Sequence, residues 1–244
     1  MSNGETAVSP IAKAVILAAG RGTRMRELTN ELPKPMIAVR GKPILLHIVE
    51  GLRGAGVTAF LIVIGYRADV VQAFFGDGSR FGVEISYAMQ TVQDGTGKVV
   101  ELGRAFVGTN AFILSYGDIL VDPLNYRRFV RLDADTEAIV SVKRDEDVSK
   151  GGAVFVNANF ELIDLREKPK PGELTSPWYN AGVYAFRPSI FEYIAGLQRS
   201  SRGEFELTDA IRDLARSGKK VRALELTGDW ADVRDPEILA DLNR

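Results

Sequence analysis

Apolar runs of strand length alternate with segments of helical period through the first half of the chain. Four runs rich in Val, Ile, Leu, Phe and Tyr predict strands buried on both faces: Lys13–Ala18, Ala59–Ile64, Glu84–Met89 and Ala111–Tyr116. Between them, an apolar period typical of helices covers Ile44–Ala55, Ala68–Phe75 and Val99–Phe106. This order predicts an α/β fold with a parallel sheet and right-handed crossovers, in which ligands lie beyond the carboxyl ends of the strands.

The order of predicted elements changes near residue 137, after which strands follow one another closely without helices between them. These predicted strands are Glu137–Lys143, Ala153–Asn157, Leu162–Arg166 and Tyr179–Phe186, and helical segments return after them. We interpret this part as a second lobe that shares the same sheet. The sequence therefore predicts a disordered leader over residues 1–12 and a single domain over residues 13–244, with halves at 13–136 and 137–244.

Composition narrows the classes of function. The chain has 244 residues, 45% of them hydrophobic, which is enough for one sizeable core. Its 31 basic and 32 acidic residues nearly cancel, so no global positive field favours nucleic acid as a partner. The absence of cysteine excludes disulfides and cysteine-ligated metals and suits a reducing compartment. With no signal peptide and no apolar run approaching the ~20 residues that span a bilayer, we expect a cytoplasmic protein without a membrane partner.

The loop after the first predicted strand concentrates positive charge and glycine. Gly20 and Gly22 leave backbone N–H groups accessible, Arg24 can chelate a phosphate with its fork, and Lys34 supplies a compact charge. The loop lacks the third glycine of the dinucleotide fingerprint, because Met25 stands there. These features favour a phosphate-binding loop over a nicotinamide or flavin site, although a basic surface turn is the structural alternative.

A P-loop is also excluded. Gly97-Lys98 is followed by Val99 rather than by Ser or Thr, and Val92 stands where the first glycine of that motif belongs. Any phosphate must therefore be bound by a different arrangement.

Several short motifs in one order resemble the signatures of the sugar-1-phosphate nucleotidylyltransferases and span nearly the whole chain. They are Leu17–Met25, Pro33–Met36, Tyr116–Asp118, Glu167–Pro169, Asn180–Tyr184, Trp230–Asp232 and Asp235–Glu237. The resemblance implies a Rossmann-like three-layer α/β/α domain with a mixed, mostly parallel central sheet. It also implies that residues 13–136 form the nucleotide-binding half and residues 137–244 the sugar-phosphate-binding half.

The resemblance further implies a reaction and a set of site residues. A sugar-1-phosphate oxygen attacks the α-phosphorus of a nucleoside triphosphate, with Mg²⁺ as cofactor, Arg24 and Lys34 as catalytic residues, and Asp118 and Asp232 as metal ligands. The implied nucleotide-binding residues are Ala18, Ala19, Gly20, Gly22, Thr23, Arg24, Gln90, Gly95 and Thr96. The implied sugar-phosphate-binding residues are Gly152, Glu167, Lys168, Asn180 and Gly182. Because the second pKa of a phosphate is about 6, such a nucleophile needs no general base.

The identity of the substrates stays open. A glutamine amide such as Gln90 can pair with a pyrimidine edge, which favours a pyrimidine triphosphate. Ile119 and Gly97 differ from residues common in thymidylyl and uridylyl relatives, so guanylyl transfer to a mannose- or heptose-type phosphate and cytidylyl transfer to phosphocholine or inositol phosphate are alternatives. A homo-oligomer is also left open.

Other readings of the same residues exist. A related glycosyltransferase commonly carries an Asp-x-Asp motif, which the segment 117–122 lacks. A non-catalytic subunit that binds nucleotide sugars is disfavoured because the lysines and aspartates of the motifs are present.

Single residues of the motifs also have purely structural interpretations. Asp118 could end a strand, Asp232 could cap a helix, Glu167 could lie on a solvated strand end and Asn180 could be a turn residue. We interpret His47 as a structural residue among apolar neighbours.

Overall fold

The computed structural model describes residues 10–144, 146–170, 172 and 176–244, so residues 1–9 of the predicted leader lie outside the described residues. Within these ranges the strands are β1 (Lys13–Leu17), β2 (Ala38–Val39), β3 (Lys42–Pro43), β4 (Ala59–Ile64), β5 (Glu84–Met89), β6 (Phe112–Tyr116), β7 (Ile119–Val121), β8 (Thr136–Arg144), β9 (Gly152–Val156), β10 (Leu162–Glu167), β11 (Trp178–Phe186), β12 (Lys220–Glu225) and β13 (Trp230–Asp232). The helices are α1 (Ile44–Gly54), α2 (Ala68–Phe75), α3 (Thr96–Glu101), α4 (Arg104–Val107), α5 (Pro123–Phe129), α6 (Ile190–Ala195), α7 (Leu207–Arg216) and α8 (Pro236–Leu242).

A mixed sheet forms the centre of the fold. Its strands run in the order β10-β9-β11-β6-β1-β4-β5, with β8 paired to β11 and β12 paired to β8. Strands β6, β1, β4 and β5 are mutually parallel, whereas β11 is antiparallel to β6. Strands from both predicted halves therefore join one sheet, and the predicted mixed sheet with mostly parallel central strands is confirmed.

Helices cover both faces of this sheet. Alternate residues of β1 point to opposite sides, with Ala14 and Ile16 in one hydrophobic cluster and Val15 in the other. The first cluster includes buried residues of α1, α2 and α5, and the second includes those of α3, α6 and α7. Strands β1, β4 and β6 are thus buried on both sides, as the three-layer α/β/α prediction requires. The sequence predicts burial on both faces for β5 as well, but this strand is the edge of the sheet, and its residues Glu84, Ser86 and Met89 are exposed.

One predicted helix is divided. Instead of a continuous helix over Val99–Phe106, the chain turns at Gly103, between α3 and α4. A Cβ at this glycine would lie 3.0 Å from Cγ2 of Val15, so the turn rests directly on the sheet. A side chain at this position would crowd Val15, so a glycine suits the close approach to β1 between the two helices.

Two very short strands position residues that the apolar pattern does not single out. Strand β7 follows β6 almost directly and pairs antiparallel with β13 from the end of the chain, with Ile119 opposite Asp232. This pairing joins the beginning of the 117–122 segment to residues more than a hundred positions later. No helix of the described residues has the length and apolarity needed to cross a membrane.

Candidate active site

Two adjoining cavities lie beyond the carboxyl ends of the parallel strands. The larger, of about 550 Å³, follows β1, β5 and β6, and the smaller, of about 220 Å³, lies between β6, β10 and β11. Seven residues line both cavities and mark their boundary: Arg24, Lys34, Thr96, Tyr116, Asp118, Glu204 and Arg234. The position agrees with the general location of ligands in parallel α/β sheets.

The glycine-rich loop after β1 rests on the side chain of Lys34. Gly22 has a φ of +69°, and a Cβ there would lie 2.6 Å from Cβ of Lys34. Any larger residue would therefore push the loop away from the lysine. Met25 is fully buried and its N–H donates to the carbonyl of Gly22 at 2.9 Å, which anchors the loop in the core. Met25 thus explains why this loop departs from the dinucleotide fingerprint.

Close contact between β6 and β1 places Asp118 beside the same loop. The N–H of Gly117 donates to the carbonyl of Leu17 at 2.9 Å, and a Cβ on this glycine would lie only 2.7 Å from that oxygen. The chain can approach β1 this closely only because residue 117 has no side chain. Asp118 then enters both cavities.

Lys34 and Asp118 form an ion pair at the boundary of the cavities. The Nζ of Lys34 donates to Oδ2 of Asp118 at 2.5 Å, and Lys34 is only 9% exposed. The lysine lies in a short 3-10 turn between Pro33 and Pro35, which restricts its backbone. A charged ammonium is therefore held in a largely buried position next to a carboxylate.

The second carboxylate, Asp232, is brought to Asp118 by the pairing of β7 with β13. The N–H of Val233 donates to the carbonyl of Asp118 at 3.0 Å. Burial and the nearby charge of Asp118 raise the pKa of Asp232 to about 6, against the opposing effects of Lys34, Arg234 and Arg24. Two carboxylates that repel each other in a partly buried position are suited to share a cation.

This donor set fits Mg²⁺. Across the described part of the chain, no group of three or more His, Cys, Asp or Glu side chains is arranged to hold a metal. Mg²⁺ is usually bound by only one or two carboxylates, together with waters and substrate phosphates. The pair Asp118 and Asp232 is therefore sufficient, whereas a zinc site would need more protein ligands.

The far end of the larger cavity is built by the turn that contains Gly95 and Thr96. Gly95 has a φ of +117°, and a Cβ there would lie 2.5 Å from the backbone N of Phe205. The hydroxyl of Thr96 accepts a hydrogen bond from the N–H of Leu207 at 3.1 Å, at the start of α7. Gln90, which also lines this cavity, donates from Nε2 to the carbonyl of Val92 at 2.9 Å. This turn therefore couples the larger cavity to the segment before α7.

The smaller cavity contains an amide oxygen that lacks a partner. Asn180 is 8% exposed, and its Nδ2 donates to the hydroxyl of Tyr184 at 2.8 Å, but its Oδ1 is buried without a hydrogen bond to any described residue. The irregular register of β11 after Asn180, with Gly182 at a φ of +81°, opens the strand here. Because an unsatisfied buried acceptor is costly, a ligand hydroxyl or amide N–H is its natural partner.

A carboxyl group with a strongly shifted pKa lies in the same cavity. Burial and the charge of Glu206 raise the pKa of Glu167 to about 7, although Lys168 and Arg202 oppose this shift. Lys168 adopts a φ of +40° and donates its N–H to the carbonyl of Gly151 at 2.5 Å, next to the predicted Gly152. The backbone of Lys168 is therefore held in an uncommon conformation at the edge of this cavity.

The structure brings all predicted site residues to the two cavities. The residues predicted to bind the nucleotide, from Ala18 to Thr96, line the larger cavity, and those predicted to bind the sugar phosphate line the smaller one. Asp118 lines both and Asp232 the smaller. His47 lies outside both, and its Nε2 is 2.8 Å from the carbonyl of Val39. The roles of the site residues stay predictions, whereas their convergence is a property of the fold.

Sequence reasoning missed several charged residues of the site. Arg202 approaches three carboxylates, those of Glu206 at 3.3 Å, Glu204 at 3.5 Å and Glu167 at 3.6 Å. Lys150 and Arg234 also line the smaller cavity. The alternating charges of residues 202–206 are visible in the sequence, but a solvated loop before a helix has the same pattern.

Comparisons with known proteins assign the family. A family model described as nucleotidyl transferase matches residues 13–244. The chain is 34% identical to a glucose-1-phosphate thymidylyltransferase of Streptomyces griseus, over 95% of this chain and 65% of that protein. It is 35% identical to the bifunctional protein GlmU of Methanococcus maripaludis, over 91% of this chain and 51% of that protein. The chain thus spans about half to two thirds of the length of these relatives.

A solved structure has the same fold over nearly its whole length. The crystal structure of UDP-glucose pyrophosphorylase complexed with UDP-glucose superposes with a TM-score of 0.86 at 25% identity, covering 96% of this chain and 97% of that chain. The family model and this structural neighbour each cover nearly the whole chain. The chain therefore belongs to the nucleotidyl transferase family.

Proposed function

We propose that the protein transfers a nucleoside monophosphate from a nucleoside triphosphate to a sugar-1-phosphate and releases pyrophosphate. One observation carries this proposal: two adjoining cavities meet at a boundary that contains Lys34 and its ion-pair partner Asp118, and Asp232 lies next to this boundary in the smaller cavity. A transfer between two phosphorylated substrates needs such an arrangement, with cations and a metal site where the two phosphates meet.

The reaction balances without a proton donor or acceptor on the protein. A phosphate oxygen of the acceptor forms a bond to the α-phosphorus, and the bond from this phosphorus to the bridging oxygen breaks. Pyrophosphate leaves with that electron pair. Because the second pKa of the acceptor phosphate is about 6, the nucleophile is already a dianion at neutral pH. The main contribution of the protein is therefore to position two anions and to stabilise the charge of the transition state.

The larger cavity is suited to the triphosphate. The backbone of the loop is accessible at Gly20, which is exposed and where a Cβ would meet no atom within 4 Å, and Gly22 lines the same cavity. Arg24 follows in the same loop and can bind phosphate oxygens with its fork. Lys34 lies where charge develops between the α-phosphate and the leaving group, and we assign it the main electrostatic role.

We further propose Mg²⁺ as the metal held by Asp118 and Asp232. When bound, it supplies Lewis-acid stabilisation of the phosphates. Lys34 is positioned to keep its ammonium directed at the same region, because it already contacts Asp118. The two aspartates are the hard oxygen ligands that this metal prefers.

The smaller cavity is suited to the sugar phosphate. The unpartnered Oδ1 of Asn180 can accept a hydrogen bond from a sugar hydroxyl. Glu167, with its pKa near 7, can donate or accept a hydrogen bond with a sugar hydroxyl at neutral pH. Lys168 can bind the phosphate. Gly152 and Gly182 line the cavity beside these groups, and a Cβ at either would meet Asn180 or Ile119, so the glycines allow the strands to pack closely around the cavity.

The proposal favours a pyrimidine nucleotide. Gln90 uses one N–H of its amide within its own loop, so its carbonyl oxygen and other N–H can still pair with a base edge. The relative from Streptomyces griseus is named a thymidylyltransferase, and the structural neighbour is complexed with UDP-glucose. The cytoplasmic location, the lack of nucleic-acid and membrane partners and the oligomeric state stay predictions.

The test is pyrophosphate release in the presence of Mg²⁺. ATP, CTP, GTP, UTP and dTTP are each combined with glucose 1-phosphate, other sugar-1-phosphates, heptose phosphate, inositol phosphate and phosphocholine. Release that requires UTP, dTTP or CTP and a sugar-1-phosphate supports the proposal. Release with GTP alone, or with a non-sugar acceptor alone, replaces the substrate assignment. No release with any pair, from a protein that still binds a nucleotide sugar in calorimetry, overturns the proposed activity in favour of a binding protein.

A further inference from the structure

Arg234 lies at the boundary of the two cavities, and the assignments above give it no role. Its side chain is 17% exposed and lines both cavities, as do Arg24 and Lys34. Arg24 and Lys34 belong to the segment after β1, whereas Arg234 approaches from the end of the chain. The boundary therefore has a third cation, which comes from a different segment of the chain.

The backbone on both sides of Arg234 is fixed. Its own N–H donates to the carbonyl of Asp232 at 2.8 Å, directly after β13. On the other side, Oδ1 of Asp235 accepts a hydrogen bond from the N–H of Ile238 at 3.0 Å and caps α8, which begins at Pro236. A side chain between two anchored elements has a defined direction, and here that direction is into the cavities.

The guanidinium of Arg234 has few acceptors. It lies 3.6 Å from Oδ2 of Asp232 and 4.0 Å from Oδ2 of Asp235, and it donates no hydrogen bond to any residue that the structure describes. Arg202 differs, because it already donates hydrogen bonds to Glu204 and Glu206. A guanidinium has five N–H donors in a fixed fork, which matches two oxygens of a phosphate. Arg234 is therefore a largely enclosed group with two nearby carboxylates, and its N–H donors are available to the oxygens of a further anion.

We propose that Arg234 binds the phosphate of the acceptor substrate and guides it toward the α-phosphorus. This assignment rests on the proposed function. The glycine loop and Arg24 suit the triphosphate, whereas Arg234 reaches the boundary from the same half of the chain as Lys168. The positive charge of Arg234 offsets the repulsion between the two phosphates as they approach each other. Arg234 thus acts as a catalytic residue that touches the acceptor phosphate.

The experiment compares Arg234→Ala and Arg234→Lys with Arg212→Ala. Arg212 is a matched control, since it is 20% exposed and pairs with two aspartates, at 2.9 Å and 3.9 Å, on α7 outside both cavities. The substrate pair found in the pyrophosphate assay is used to measure kcat and the KM of each substrate. The affinity for inorganic phosphate is measured by calorimetry without nucleotide, so that it does not depend on turnover.

We expect Arg234→Ala to raise the KM of the acceptor about 10-fold or more and to lower kcat, with the KM of the triphosphate unchanged. Arg234→Lys should recover part of this loss, because lysine keeps the charge without the fork. Phosphate affinity should fall in Arg234→Ala and stay unchanged in Arg212→Ala.

Two results would overturn the assignment. One is a rise in the KM of the triphosphate with an unchanged KM for the acceptor. The other is unchanged phosphate affinity in Arg234→Ala. If the wild-type protein releases no pyrophosphate with any pair, the proposed function fails, and the phosphate titration still decides whether Arg234 binds a phosphate.

Discussion

The buried carboxyl group of Glu167 predicts a specific dependence of stability on pH. Burial and the charge of Glu206 raise its pKa from 4.5 to about 7, and its side chain is 22% exposed. One pH unit corresponds to about 1.4 kcal/mol, so the ionised form costs the folded state about 3 kcal/mol. The folded protein binds this proton more tightly than the unfolded chain does. The free energy of unfolding should therefore fall as the pH rises from 4.5 to 7 and change no further, through this group, above 7.

The substitution Glu167→Gln removes this titration while keeping the shape of the side chain. Below pH 4.5 both proteins are uncharged at this position, so their difference in stability should be constant. Between pH 4.5 and 7 the variant should gain stability relative to the wild type, up to about 3 kcal/mol above pH 7. Arg202 retains Glu204 and Glu206 as partners in the variant, which limits the loss of ion pairing.

Urea unfolding at a series of pH values measures this difference directly. Glu84→Gln, at an exposed position at the start of β5, serves as the control for removing a carboxylate. A difference curve for Glu167→Gln that is flat over pH 4.5 to 7 would refute the reasoning. A curve that falls with pH would show that Lys168 and Arg202 stabilise the carboxylate more than burial and Glu206 disfavour it.

The remaining predictions concern the boundary and the loop. Lys34→Met should lower kcat about 100- to 1,000-fold with an unchanged urea midpoint, because the aliphatic stem still packs against Gly22; near-normal turnover would contradict its role. Asp232→Asn should raise the Mg²⁺ concentration needed for half-maximal activity by about tenfold or more. If the variant binds Mn²⁺ as tightly as the wild type in electron paramagnetic resonance, Asp232 is not a metal ligand. Gly22→Ala should destabilise the fold by about 1–3 kcal/mol in urea and raise the KM of the triphosphate, whereas Gly54→Ala, in open space at the end of α1, should not.

Local sequence determined the elements that depend on neighbouring residues. The strands β1, β4, β5 and β6 are observed within a residue or so of their predicted bounds. For β1, β4 and β6 the reason is that a strand buried on both faces must be continuously apolar. The glycine-rich loop was also predictable, since glycine is needed where the chain has a positive φ or passes close to another segment. The order of the strands and the position of the loop at the end of β1 then predict where a ligand binds.

The local sequence pattern could not predict the pairing of segments that are far apart in the chain. Strands β7 and β13 have three residues each, too few for a period, and only their pairing places Asp118 beside Asp232. The chain between α3 and α4 passes at Gly103 close to Val15, from a strand about ninety residues earlier. Such events are set by packing between segments, which the sequence of either segment alone does not contain.

By itself, the sequence determined the α/β class and the glycine-rich, basic composition of the first loop, and its motifs predicted many of the residues that line the two cavities. Only the tertiary structure decided how those residues meet: the contact between Lys34 and Asp118, the raised pKa of Glu167, the unpartnered oxygen of Asn180 and the place of Arg234. The physical reason is the separation along the chain over which each kind of interaction acts. Backbone propensity and hydrophobic period act between near neighbours along the chain, whereas burial, charge and hydrogen bonding in the site act between residues that folding alone brings together.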